Sequence, residues 1–578
     1  MFWKSVRVVA VAMVVVLGGG CHAPAPPPPQ PSTPSQFRAY WVDAFGEGLY
    51  SPEQIDKLVA AAKAANMNAI IAQVGRRGDC FCNNAAMPRT EQAGVVPAPF
   101  DPLQTLIEKA HAEGLEVHAW IITTAMWNSS TPPKDPNHVF NLHGSSKTGA
   151  DNWLGVRYDG VLRETTSAAA NWFFDPGHPD AAEYIVEMYT SVARNYDVDG
   201  LNFDRVRYPD GQMTAWPNDN TWGYNPVALA RFHAATGRND RPLPDDLQWQ
   251  QWRRDQITNI VRRVYLETYA IKPQIRISAD TITYDYGPQN PKWGSWERSR
   301  PYREVLQDWR AWMQEGILDL NILMNYKREH CTADGTGCFG NQRLMFEEWN
   351  EFAKDHQYER QAAIGPALYL NTIANSVAQV RKVLAPGSSG KSVVGWAGYS
   401  YRVPDDRANL PTSNPQYRSG DASRAELTRA FTESSEYDTD PSPVFSTPAT
   451  VPAMPWKMTP TKGHLRGTLS TAGGVPFDQV KVDLYDAETD AHVGSKVTDG
   501  SGWFGFVDLQ PGRYNAIVDD ARVSGRHVAV VEVSAGQLAT VAVTPFASGE
   551  EGRRPLQVSH PTRESGETVE LLEKMGER

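Results

Sequence analysis

The chain has 578 residues, of which 41% are hydrophobic and 21% charged. One domain of roughly 100 to 200 residues does not absorb that length, so one large unit and a smaller one are expected. Lys and Arg number 56 against 67 Asp and Glu, a net charge of −11, which supplies no basic face for counter-ion release and excludes nucleic acid as the expected partner.

The N-terminus reads as an export signal. Lys4 and Arg7 precede the apolar run Val8 to Leu17, too short to span a bilayer and suited to a signal-peptide core. Gly18, Gly19 and Gly20 lead into Cys21, so residues 1–21 are expected to be a lipoprotein signal with its lipobox, and Cys21 the lipidated residue. Leu17 stands four residues before the cysteine instead of three, and an ordinary secretory signal with an incidental Cys21 is the alternative. Removing Lys4 and Arg7 takes the net charge from −11 to −13. Residues 22–36 are Pro-rich and are expected to form a semi-rigid polyproline tether. The expected location is therefore exported and lipid-anchored to the cell envelope, with the membrane as a partner through the anchor.

From Phe37 apolar strands alternate with amphipathic helices. The expected strands are Phe37–Asp43, Asn68–Val74, Glu116–Ile122, Asp199–Asp204, Ile275–Asp280, Asp319–Asn325, Gln361–Ala367 and Val393–Tyr399. Eight near-continuous apolar strands separated by helices predict an α/β fold, a parallel (β/α)8 TIM barrel over residues 37–437. Ser51-Pro52-Glu53-Gln54 and Asp101-Pro102 supply helix caps with Pro at the first helical position. Residues 438–462 are Pro-rich, a linker or wrapping segment. Beyond them, Val480–Leu484, Trp503–Phe506, Tyr514–Val518, Val528–Val533 and Leu538–Val543 read as short strands of a small all-β sandwich over residues 463–547. Residues 548–578 are polar and expected to be a disordered tail.

Of the five Cys, Cys21 is assigned to the lipid. Cys80, Cys82, Cys331 and Cys338 are too few for a disulfide-built scaffold, and their three connectivities stay open. Zinc, with His330 adjacent, is the rival reading. No metal and no cofactor is expected.

In such a barrel, reactive side chains stand at the C-terminal ends of strands. Those ends offer Asp43, then Arg77 and Asp79, then His118 and Trp120, then Asn202, Asp204, Arg205, Arg207 and Tyr208, then Asp280, and finally Tyr326 and Glu329. Alternation points Asn202 and Asp204 to the same side. Aromatic residues are 10% of the chain, with 18 Trp. Trp127, Trp293, Trp296 and Trp396 fall near strand ends and suit stacking on sugar rings as well as core filling.

The ordered set Phe37–Asp43, Asn68–Val74 with Gly78-Asp79, Val117–Trp120, Phe174–Pro179, Val198–Pro209, Gln307–Arg310 and Met324–Tyr326 resembles the glycosyl-hydrolase-like family ten proteins, exported bacterial proteins often carried as lipoproteins. The resemblance covers about Phe37 to Trp456 and implies a TIM-barrel glycoside hydrolase whose polysaccharide substrate is a cell-wall glycan, peptidoglycan strands first. An exopolysaccharide hydrolase and a non-catalytic sugar-binding lipoprotein are the alternatives. Gly75-Arg76-Arg77 stands where many relatives carry Arg-Pro before the Gly-Asp. The C-terminal Thr498-Asp-Gly-Ser-Gly turn with Leu509–Tyr514 is similar to carboxypeptidase-regulatory-like, prealbumin-type sandwiches, which are usually non-catalytic.

Glycoside hydrolysis needs one protonated and one ionised carboxyl group. Asp204 is assigned as the ionised member, with Arg205 or Arg207 beside it. Glu329, desolvated among Tyr326, Trp293 and Trp296, is the preferred acid, and Asp280 the competitor. Asp43, Arg77, Asp79, His118, Trp120, Arg205, Tyr208, Trp293, Tyr326 and Trp396 are the expected substrate contacts. The bland alternatives are that Asp43 and Asp79 pair with Arg38, Arg76 or Arg77, that His118 is an interior histidine, and that the tryptophans are core.

Overall fold

The computed structural model describes residues 1, 33–164, 171–210, 220–523 and 525–544; Cys21, most of the tether and the tail lie outside them. Ten strands precede the C-terminal sheets: β1 Phe37–Val42, β2 Ala69–Gly75, β3 Glu116–Ile122, β4 Ala125–Trp127, β5 Trp172–Phe173, β6 Gly200–Asp204, β7 Arg276–Ile282, β8 Leu320–Met324, β9 Gln361–Gly365 and β10 Gly395–Tyr399. Eight of them, β1–β3 and β6–β10, pair parallel in chain order and close on themselves through β1 and β10. All eight expected strands are found in this barrel. The β4–β5 ribbon is an antiparallel excursion beyond β3.

Each barrel strand is followed by a helix, from Pro52–Ala64 after β1 to Gly420–Thr432 after β10. The first begins as its sequence dictates: the Ser51 hydroxyl accepts the Gln54 N–H at 3.3 Å, and Pro52 occupies the first turn. The Gln54 side chain reaches back past Ser51 to accept N–H groups of Gly48 and Tyr50 at 2.9 and 3.0 Å. It thereby folds the β1 loop onto the helix.

Alternation along the strands separates two apolar cores. Phe37, Ala39 and Trp41 of β1 face the barrel axis with Ala69, Ile71, Trp120, Leu320, Ile322, Ala363 and Ala397. Tyr40 and Val42 face outward with Ile70, Ala72, Leu201, Phe203 and the apolar stripes of the helices. Gly365 makes room for the inward Trp41 indole, which a Cβ there would meet at 2.2 Å.

The Pro-rich segment seals the N-terminal end. Arg38, Asn68, Arg276 and Gln361, all at strand starts, donate to the carbonyls of Thr447, Ala449, Pro452 and Ala453 at 2.7 to 3.0 Å. Trp456 and Lys457 then grip the buried Asp319.

Seven further strands form two sheets. The strands β11 Gly463–Leu469, β14 Trp503–Leu509 and β17 Leu538–Val543 make one; β12 Lys481–Asp486, β13 His492–Val497, β15 Gly512–Asp520 and β16 Gly525–Val533 make the other. Leu465, Val482, Leu484, Phe504, Tyr514, Val531 and others fill the space between them. β11 and β13 were not among the expected strands, because Gly463, Gly467 and Gly494 dilute their apolar pattern.

Candidate active site

Both disulfides close locally, Cys80–Cys82 and Cys331–Cys338. The sulfurs beside His330 are therefore committed to a covalent bond, and the residues of that group are not a ligand set in this state.

At the C-terminal end of the barrel, β6 and β7 bring two carboxyl groups together. Their register pairs Asn202 with Ser278 and Phe203 with Ala279, which sets Asp204 beside Asp280 on the inward face. Asp204 accepts the Trp120 indole N–H at 3.1 Å on one oxygen and the Arg205 backbone N–H at 2.6 Å on the other. Asp280 accepts the Asn202 amide at 2.9 Å. Asp204 is 8% exposed and Asp280 2%, so Asp204 is the member nearer the solvent. Burial pushes the Asp280 carboxyl well above the ordinary carboxylate range and the Asp204 charge pushes it further, while Asn202 and the facing Trp41 indole oppose the rise.

Aromatic rings surround the pair. Tyr326 and Tyr399 stack at 5.3 Å, Trp41 stands edge-on to both at 6.4 and 6.2 Å, and Trp120 lies 6.2 Å from Tyr399. Tyr369 closes the group at 5.9 Å from Tyr399. Burial holds the Tyr326 hydroxyl far above its ordinary pKa, with Tyr399 and Asp280 acting in the same direction. Desolvated walls of this kind strengthen each charge interaction inside them.

The strand-two and strand-four loops add cations. Arg77 is buried, donates to the Asn171 side chain at 3.3 Å, and lies 5.8 Å from the half-exposed Phe45 ring. Arg205 has a left-handed backbone, φ +48°, uncommon outside glycine and Asn. Its guanidinium senses Arg77 and Arg207 as like charges and Asp204, Glu164 and the Tyr284 hydroxyl as opposite ones.

Several expected site residues are elsewhere. Glu329 pairs with Lys382 at 2.5 Å and Arg343 at 3.2 Å, cations on the outer helices, and is not brought to Asp204. The proton-holding role proposed for it there has no support, since two cations favour the ionised form. His118 begins its strand instead of ending it; Gly200 makes room for its ring, which donates or accepts at 3.0 Å with Glu116 near the barrel floor. Trp396 points outward, packed on Phe431 and Phe445 at 5.4 and 5.7 Å. Trp296 stacks on Phe352 at 5.6 Å in the outer core, and Trp293 lies beneath Arg303 at 4.9 Å. Tyr208 is buried against Arg253 at 5.7 Å, behind the mouth.

Two acidic positions shape loops. Asp43 binds Arg402 and Ser400, each at 2.9 Å, and not Arg38, Arg76 or Arg77. Asp79 takes the Arg77 N–H at 3.1 Å and the Thr90 hydroxyl at 2.6 Å. It folds the loop that presents Arg77. Trp41, Tyr369, Tyr399, Phe45 and Glu164 were missed. Parity with Phe37 and Ala39 marks Trp41 as inward, and Tyr399 ends its strand as Asp204 does; the other three sit on loops whose direction no periodicity encodes.

Residues 36–337 match the family described as glycosyl hydrolase-like 10, more than half of the chain. Among curated relatives, the glycosyl hydrolase YngK of Bacillus subtilis is 24% identical over 49% of this chain and 52% of its own length. The glycosyl hydrolase DigH of Escherichia coli K12 is 23% identical over 46% and 55%. This chain thus spans about half the length of the curated relatives it matches. Among solved structures, the glycoside hydrolase domain of PgaB (BpsB) from Bordetella bronchiseptica is 15% identical, with a TM-score of 0.43 over 68% of this chain and 98% of that one. The catalytic domain of a Paenibacillus polymyxa β-amylase is 14% identical, TM-score 0.44, over 69% and 98%. By its family match, the chain belongs to the glycosyl hydrolase-like 10 family.

Proposed function

We propose that the protein is a glycoside hydrolase in which Asp280 supplies the proton and Asp204 the negative charge, acting on a cell-wall glycan, with peptidoglycan strands as the substrate. The observation that carries this reading is the Asp204–Asp280 pair, one member held protonated by burial and its neighbour supplied with two N–H donors. Two carboxyl groups driven apart in proton affinity are what leaving-group protonation and oxocarbenium stabilisation require. Asp280 gives its proton to the glycosidic oxygen as the bond breaks. Asp204 receives the anomeric carbon, and the same Asp280 then deprotonates the water that releases the sugar. Trp41, Trp120, Tyr326 and Tyr399 offer ring faces and edges to the pyranose.

The envelope substrate accords with the export reading of residues 1–21, in which Cys21 carries lipid and residues 22–36 tether the barrel close to the wall. Incubation with purified glycan strands, with and without stem peptides, tests the substrate: new reducing ends are expected, and none on either preparation would refute it. Replacing Cys21 with Ala is expected to move the protein from the membrane pellet to the soluble fraction. A variant that still pellets would end the anchoring proposal.

A further inference from the structure

The mouth of the barrel carries cations that the reaction just proposed does not use. Among the described residues, no carboxylate lies within ion-pair distance of Arg77, Arg205 or Arg207, although most other arginines of the chain have such a partner. The Arg207 Nε is buried with no hydrogen-bond partner, and its only side-chain bond runs to the Tyr208 carbonyl at 3.3 Å. Arg77 spends its Nε on Asn171 and leaves its terminal nitrogens free. Arg205 makes no side-chain hydrogen bond among the described residues, yet it is largely buried between the other two. Three desolvated guanidinium groups that repel one another are costly to hold together. They do so in a molecule of net charge −11, where a cationic cluster is not a general surface property.

We propose that Arg77, Arg205 and Arg207 form a subsite that receives a carboxylate carried by the glycan beside the bond being cleaved. The guanidinium fork matches a planar carboxylate in two parallel hydrogen bonds, which an ammonium does not offer. A singly charged group is favoured over a phosphate dianion because Asp204, adjacent to Arg205, repels the second charge. Glu164 and Asp204 attract Arg205 from a distance without closing an ion pair. They orient the guanidinium and leave its donors for the ligand. The half-exposed Phe45 ring beside Arg77 gives the same sugar a stacking face. Two sources present this chemistry: the lactyl carboxylate of a muramic residue without its peptide, and the carboxylate of a uronic acid.

This inference rests on the glycoside-hydrolase reading, and the experiment separates the two. Glycan strands stripped of stem peptides are compared with the same strands after carbodiimide activation and borohydride reduction, which turns carboxylates into alcohols. For the wild-type protein, reduction is expected to lower kcat/KM roughly 10- to 100-fold, mainly through KM, as loss of a charge-assisted pair does. In Arg77→Gln and Arg207→Gln, the ratio between the two substrates is expected to fall toward one. A polyuronate cleaved in place of the stripped strands assigns the uronate source. Equal wild-type rates on native and reduced strands overturn the proposal, as does a variant of unchanged melting temperature that keeps the full preference. Should no glycan be cleaved, the hydrolase reading fails, and calorimetric binding of the native and reduced oligosaccharides decides the subsite alone. Tighter binding of the carboxylated one by the same factor upholds it, and equal binding overturns it.

Discussion

Asp280 and Asp204 occupy neighbouring positions on adjacent barrel strands, yet only Asp280 is sealed below the aromatic wall and hydrogen-bonded by an amide from within the barrel. The same strand register that joins them therefore gives them opposite tasks. Asp204→Asn preserves volume and the Trp120 and Arg205 contacts while removing the charge. Turnover on a natural glycan is expected to fall roughly 10²- to 10⁴-fold with little change in melting temperature. Asp280→Asn is expected to lose comparable activity on poor leaving groups and much less on activated aryl glycosides, which need no proton. If both variants turn over a natural glycan at near wild-type rates, the chemistry lies elsewhere in the mouth.

Asp280 also predicts a pH dependence of stability. Its folded-state pKa lies well above its ordinary value, so the folded protein binds more protons there than the unfolded chain, and stability falls as pH rises through that window. The contribution is fully present below the unfolded pKa of about 4 and is lost as pH climbs through the raised value. Asp280→Asn has no proton to lose. The variant is expected to melt higher than wild type near neutral pH and to match it near pH 4. Parallel melting curves across that range would show that the site carries no such penalty.

Strand spacing bears on stereochemistry. Adjacent strands lie about 4.8 Å apart, and in-register inward carboxyls on them stand near the roughly 5 Å separation of retaining pairs, short of the 6.5 to 9.5 Å that inverting enzymes need for an intervening water. The first product is expected to keep the anomeric configuration of the substrate. Proton NMR taken early in the reaction reads this directly, and an inverted anomer rules out Asp204 as the attacking group.

How far the sequence reveals this site depends on strand parity. Asp204 and Trp120 are legible because alternation and position at a strand end coincide. Trp396 is not, since parallel strands are apolar on both faces and Gly395-Trp396-Ala397 carries no alternating mark. Glu329 lies five residues beyond the end of β8, and the cation that claims it, Lys382, is 53 residues further along the chain. His118 failed for a simpler reason: β3 runs on to Ile122, which puts His118 near the wrong end. The arginine cluster depends on where two loops meet, and no local pattern records that.

The sandwich is expected to act on stability and not on chemistry. It is held to the barrel by Arg231–Asp478 at 2.6 Å, Arg360–Asp508 at 2.7 Å and Lys496–Glu315 at 2.8 Å. Trp503 also packs into the barrel's outer core while its indole donates to Glu267 at 2.9 Å. None of these groups approaches Asp204 or Asp280. Arg360 is the informative one, because its guanidinium is almost completely buried, so removing its partner leaves a desolvated cation. Asp508 has φ +56°, a conformation Asn tolerates, so Asp508→Asn removes the charge without straining the backbone. The expected cost is about 2 kcal/mol, below the roughly 3–5 of a fully buried pair because Asp508 is 19% exposed. Truncation after Thr461 goes further, stripping Trp503 from the core, and is expected to lower the melting temperature more than Asp508→Asn while turnover on soluble glycan at low temperature persists. A truncated barrel that melts where the intact protein does would show the sandwich to be an independent appendage, and one that folds but has lost turnover would place it in the site.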